Sequence, residues 1–177
     1  MTGIEYVWIS AVLLFGVVGL VRTYPRELGV TTMCVAALLL VLQFGDKALA
    51  FLQRQFAEDF TWLISRRFEA GFLLVIFLTV IFISYQGITL RFKGTPPQGP
   101  VTPVLGFLVG LLNGYFISGT VWAYMHRYGY PFGLSDGEQL SKFALRLVKS
   151  MPPELFGARP AYLLGLLLLL LILSVWQ

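Results

Sequence analysis

Residues 104–125 read VLGFLVGLLNGYFISGTVWAYM, twenty-two positions without one charge. A helix needs about 20 predominantly apolar residues to cross a hydrocarbon core about 30 Å thick. The stretch therefore predicts a membrane-spanning helix. Four more stretches carry the same signal, at residues 4–21, 28–44, 70–90 and 160–176. Together they predict an all-α fold, a polytopic membrane helix bundle of about five transmembrane helices.

The composition agrees. The 177 residues are 57% hydrophobic and 12% charged, where a soluble domain is about a quarter charged. The charges collect between the apolar stretches. Thirteen Lys and Arg against nine Asp and Glu give a net charge of +4. In a membrane protein such an excess attracts anionic headgroups. No soluble basic module is present to enter a nucleic-acid groove, so nucleic acid is not an expected partner. The single cysteine, Cys34, lies within an apolar stretch and reads as a small lipid- or helix-facing apolar residue. One cysteine makes neither an internal disulfide nor a thiolate metal cluster. No cofactor or metal is expected.

The first stretch begins with Glu5, Tyr6 and Trp8, where an aromatic belt would sit, and Glu5 is expected to reach water. The amino terminus lacks a basic leader, so this stretch is expected to be a retained span. Gly16 and Gly19 give its other half a small-residue face for helix contact. Residues 22–27, Arg-Thr-Tyr-Pro-Arg-Glu, read as a tight connection at which Pro25 turns or kinks the chain.

Gly45 and Asp46 are expected to end the second span. Between residues 46 and 68, Leu49, Leu52, Phe56, Phe60, Leu63 and Ile64 recur near helical spacing, with Lys47, Arg54, Glu58, Asp59 and Arg66 on other faces. That pattern fits an amphipathic helix in the headgroup plane. The alternative is a helix that extends the second span into water. Residues 94–100, with three prolines and two glycines, predict a stiff non-helical connection.

In the fourth stretch Gly106, Gly110, Gly114 and Ser118 recur every fourth position. Such a stripe lets another helix approach closely. Asn113 beside it needs hydrogen-bond partners. It reads either as an interhelical hydrogen bond or as a contact on a polar path. A second interfacial amphipathic helix is expected near residues 136–149, opened by the capping box Ser135 to Glu138 and carrying Lys142, Arg146 and Lys149 on its polar face. The chain thus divides into a four-span core (1–125) with an interfacial helix near 46–68, a linker (126–159), and a leucine-rich last span (160–177) read as peripheral and anchored by Trp176.

With five spans, nine cations share a side with the amino terminus: Lys47, Arg54, Arg66, Arg67, Arg127, Lys142, Arg146, Lys149 and Arg159. Four fall on the other side: Arg22, Arg26, Arg91 and Lys93. The positive-inside rule then predicts a cytoplasmic amino terminus and an outside carboxyl terminus.

None of the expected spans places Asp, Glu, Lys, Arg or His at depth, which argues against a proton-driven transporter. The one histidine, His126, is eight positions from Ser118, roughly 12 Å along a helix, too far to share a proton. No phosphate-cradling loop, metal-ligand spacing or paired carboxylates appear. The chain is expected not to be an enzyme.

Two segments resemble the colicin V production protein family of small bacterial membrane proteins. In that family an acidic residue opens the first span, and a Gly-x-x-Arg-Gly-x-x-x-Glu-like signature closes it. Here Glu5 precedes Gly19-Leu20-Val21-Arg22-Thr23-Tyr24-Pro25-Arg26-Glu27-Leu28, with Thr23 at the place of the second glycine and Pro25 as a further departure. The second segment, Pro103 to Gly114, is similar to the family's glycine-periodic span after the third helix. The resemblance covers about residues 1–125. It implies a bacterial inner-membrane protein linked to toxin production or export and to envelope upkeep.

The leading expectation is a non-catalytic scaffold or accessory factor in the lipid bilayer. Gly16, Gly19, Gly106, Gly110, Gly114 and Ser118 would serve helix assembly, in a homo-oligomer or a larger membrane complex. Arg22, Arg26 and Glu27, with Lys142, Arg146 and Lys149, would touch a partner or anionic headgroups. The turn at Arg22, Arg26 and Glu27 reads equally as ordinary interfacial capping. A small accessory subunit of a respiratory, photosynthetic or secretory complex is the alternative. A passive channel or carrier lined by Asn113, Thr79, Ser84 and Gln86 is the third reading.

Overall fold

The computed structural model describes residues 3–87, 101–132 and 140–176. Every regular element among them is helical. Four helices are long and apolar enough to cross a membrane: α1 (Ile4–Arg22), the continuous run Tyr24–Phe56, α4 (Arg66–Gln86) and α5 (Val101–Arg127). A fifth apolar helix, α8 (Pro160–Trp176), is shorter, at 17 residues.

The second span differs from the sequence expectation. α2 (Tyr24–Leu40) does not stop at Gly45 and Asp46. It passes through one π-helical turn, Val41–Gly45, into α3 (Asp46–Phe56). Gly45 serves as close-packing surface here, since a Cβ on it would come within 2.7 Å of Leu73 Cδ2. At 1.5 Å per residue the run of 33 residues is about 50 Å long. That exceeds a hydrocarbon core of about 30 Å, so its charged α3 end projects beyond it. The separate helix expected near 46–68 is therefore this extension, followed by a short 3₁₀ turn, Thr61–Ile64. Gln53 Nε2 ties the bend together by donating to Leu63 O at 3.0 Å and to Glu69 Oε1 at 2.9 Å. Ser65 caps α4 by accepting from Phe68 N.

α1 lies antiparallel against α5. A Cβ on Gly16 would meet Leu111 and Phe107 at 2.8 Å, and one on Gly114 would meet Val12 and Phe15 at 2.9 Å. Cβ atoms on Gly19, Gly106 and Gly110 would strike backbone carbonyl oxygens of the facing helix, those of Gly106, Gly19 and Phe15 respectively. The absence of side chains lets the two backbones touch. Ser118 turns its hydroxyl inward, donating to Gly114 O at 2.6 Å. The stripe is thus used within one chain, between its first and fourth spans.

α2 packs on the other side of α5, with α4 and α8 outside it. The core between them holds Val30, Cys34, Leu38, Val41, Leu73 and Phe77. α8 buries Leu163 and Leu170 and exposes Leu164, Leu168, Leu169 and Ile172, an outer helix with a wide apolar face. The side chain of Trp176 lies outside the described residues.

The linker folds back across α5 as α6 (Lys142–Lys149) and α7 (Pro152–Gly157). The expected capping box at Ser135 to Glu138 lies outside the described residues. α6 starts later, capped by Ser141, whose hydroxyl accepts from Ala144 N at 3.0 Å. The connection at residues 94–100 and the end of the third stretch at Leu90 also lie outside the described residues.

Candidate functional site

The turn between α1 and α2 is a single residue. Thr23 adopts φ 72°, ψ 146°, a region that a β-branched residue enters at a cost of about 1–3 kcal/mol. Pro25 falls in the first turn of α2, where its missing N–H costs nothing and its fixed φ suits a helix. Pro25 therefore starts α2 and does not break it. The consequence is that Glu27 becomes a helical residue on the inner face of the bundle.

Glu27 is fully buried, at 0% exposure. Its carboxylate is held from three helices. Arg22 Nε at the end of α1 donates to Oε1 at 2.9 Å, and Asn113 Nδ2 on α5 donates to Oε2 at 2.8 Å. Tyr85 on α4 donates its hydroxyl to Oε2 at 3.4 Å. Asn113 Nδ2 also donates to the Glu27 carbonyl oxygen at 3.0 Å, and Thr31 Oγ1 donates to Asn113 Oδ1 at 2.7 Å. Arg22 reaches Tyr85 O at 3.1 Å, and its guanidinium sits over the Tyr85 ring at 4.8 Å. Asn113 lies about 18 Å from one end of α5 and about 21 Å from the other at 1.5 Å per residue. The cluster therefore joins the middle of α5 to the last residue of α1, the first turn of α2 and the last turn of α4.

The sequence places Glu27 in a connecting turn; in the structure it is a helical residue with a buried carboxylate. The physical reason is the one-residue elbow: with only Thr23 between two helices, Glu27 falls in the first turn of α2 facing inward, and Arg22 folds back to it. The pattern Pro followed two residues later by Glu is the sequence signal of an acidic first helical turn. Arg26, on the opposite face, is exposed and makes no ion pair among the described residues.

Glu5 also departs from expectation. It is 4% exposed and accepts from Ser141 Oγ, so the start of α1 is fastened to the cap of α6. Lys142, Arg146 and Lys149 all lie exposed on α6. The polar residues expected to line a path do not converge. Thr79 and Gln86 are exposed while Ser84 and Asn113 are buried.

A second polar locus lies where the long helix leaves the core. Asp46 pairs with Arg127 at 3.2 Å, and both border a 430 Å³ pocket with Tyr124 and Glu154. Just past the end of α5, burial raises the Tyr128 phenol above its usual range, and the neighbouring Arg127 opposes that rise. Among the described residues no group of three metal-ligating side chains occurs.

No protein-family model, no curated protein and no solved structure matches the chain.

Proposed function

We propose that this chain is a non-catalytic membrane scaffold or accessory factor of the colicin V production type, acting in toxin production or export or in envelope upkeep. One observation supports the reading above others. The two segments that carry the resemblance touch each other, through Glu27 of the first and Asn113 of the second. A signature Glu that looks like a loop residue in sequence has a buried role in holding helices together. The position where the family carries glycine is Thr23, and its positive φ is a conformation glycine adopts freely.

The polar cluster suits a latch better than a transport site. Both Glu27 oxygens, both polar atoms of the Asn113 amide and the Thr31 hydroxyl have protein partners. A group that releases a proton or ion needs an alternative partner, and these are engaged with each other. The channel reading also loses support from the outward placement of Thr79 and Gln86.

In this reading the chain sits in a bacterial inner membrane with its amino terminus, α3, α6 and α7 in the cytoplasm. α8 is a fifth crossing, and the carboxyl terminus is outside. Partners contact the outer faces of α4 and α8, because the glycine stripe is already occupied by α1. The test is complementation. In a bacterium deprived of its own family member, the wild-type chain restores toxin production and Glu27→Ala does not. Failure of the wild-type chain to restore it, when present in the membrane at normal levels, would contradict the proposal.

A further inference from the structure

Past the Gly114 end of the glycine stripe, α1 and α5 part to leave an apolar cleft of about 310 Å³. This is at the lower end of the range for small-molecule sites. Ile4, Val7, Trp8 and Ala11 form one wall, and Val121 and Trp122 belong to the other. Its lining is almost wholly hydrocarbon, although Ser118 and Tyr130 border it. Ser118 spends its hydroxyl on Gly114 O, and Tyr130 accepts from Trp122 Nε1 at 3.0 Å. The cleft sits at the end of α1 that is fastened through Glu5 to Ser141, the cap of α6. From that cap α6 presents Lys142, Arg146 and Lys149 at i, i+4 and i+7, one exposed basic face, while Ala144 and Val148 pack inward. Among the described residues none of the three cations has an ion-pair partner.

We infer that the cleft holds one acyl chain of an anionic glycerophospholipid whose phosphate is bound by the basic face of α6. Charge complementarity selects the occupant. An apolar slot alone would take any lipid tail, but three cations without an ion-pair partner among the described residues, on the helix whose cap is fastened to this end of α1, favour a negative headgroup, by about fivefold per cation. A soluble anion would use the cations and leave the slot without a role. The inference depends on the chain lying in a bilayer and is independent of the proposed role in toxin production.

Native mass spectrometry of the full chain in detergent, with added phosphatidylglycerol or phosphatidylcholine, tests it. One phosphatidylglycerol is expected to be retained at collision energies that strip phosphatidylcholine. Lys142→Gln with Arg146→Gln, both on the surface, should cut that preference by about twentyfold to thirtyfold. Ala11→Phe, which fills the slot, should abolish retention while leaving the cations in place. Equal retention of the two lipids would overturn the inference. So would full competition by soluble glycerol phosphate, which marks a headgroup site with no tail in the cleft. Undiminished retention by Lys142→Gln/Arg146→Gln would overturn it too, and that variant does not depend on how the core tolerates a larger side chain in the slot.

Discussion

Asn113 Nδ2 donates to both the carbonyl oxygen and the carboxylate of Glu27, at 3.0 and 2.8 Å, across 86 positions of sequence. One amide thus fixes the start of α2 against the middle of α5. Interhelical hydrogen bonds between neutral groups in membranes average about 0.6 kcal/mol. Bonds to an ionised partner are roughly twice as strong as neutral ones. The carboxylate, more than the amide count, therefore decides the strength of this contact.

Removing one member of the Arg22–Glu27 pair leaves the other charge uncompensated in the bundle. Arg22→Met is expected to destabilise by about 3–5 kcal/mol, while Arg22→Met with Glu27→Leu recovers much of that loss. Unfolding in mixed micelles, followed by loss of helical signal, measures both. A double variant no more stable than Arg22→Met would contradict the pairing.

Two of the buried threonines, Thr31 and Thr120, should respond differently to the same change. Thr31→Val deprives Asn113 Oδ1 of its donor and is expected to cost about 1–3 kcal/mol. Thr120 is fully buried, and its hydroxyl has no partner among the described residues. Thr120→Val removes that orphan and should be neutral or stabilising. Thermal denaturation of the two purified variants compares them directly.

Thr23→Gly should stabilise the elbow by about 1–3 kcal/mol, because glycine enters positive φ without steric cost. Thr23→Val keeps the β-branch and should give no gain. A midpoint shift for Gly absent for Val, in the same unfolding assay, is the expected result.

The glycines divide by what a methyl group would meet. Gly19→Ala places a Cβ against the Gly106 backbone, which cannot yield, so α1 and α5 must separate. Gly165→Ala on α8 meets nothing within 4 Å. It should gain roughly 0.5–1 kcal/mol from helix propensity. Cysteine crosslinking between Val12 and Tyr115 positions would report α1–α5 separation, with loss expected only for Gly19→Ala.

The apolar runs and the glycine stripe were legible in the sequence because both depend on local pattern. Charge-free runs identify the spans, and a four-residue period of small side chains identifies a contact face. What the pattern left unsaid was the partner of that face: nothing near Gly110 in sequence names Phe15 and Gly19. The position of Glu27 was hidden for a different reason. Pro25 and two arginines read as a surface turn, and only the single-residue break at Thr23 turns the same letters into a helix start. Likewise Gly45 and Asp46 look like a helix end, but the π turn absorbs the glycine and the helix continues. The start of α6 at Ser141, six positions after the Ser135 capping signal, could not be read from the motif alone.

The contact that holds the cluster together is the carboxylate of Glu27 bound by Asn113 inside the bundle. A double-mutant cycle on unfolding free energy, using Glu27→Ala, Asn113→Ala and the pair, measures that contact directly. The predicted coupling is about 0.5–3 kcal/mol, the range for residues that share one hydrogen-bonded network. A coupling indistinguishable from zero would mean that the two side chains do not meet.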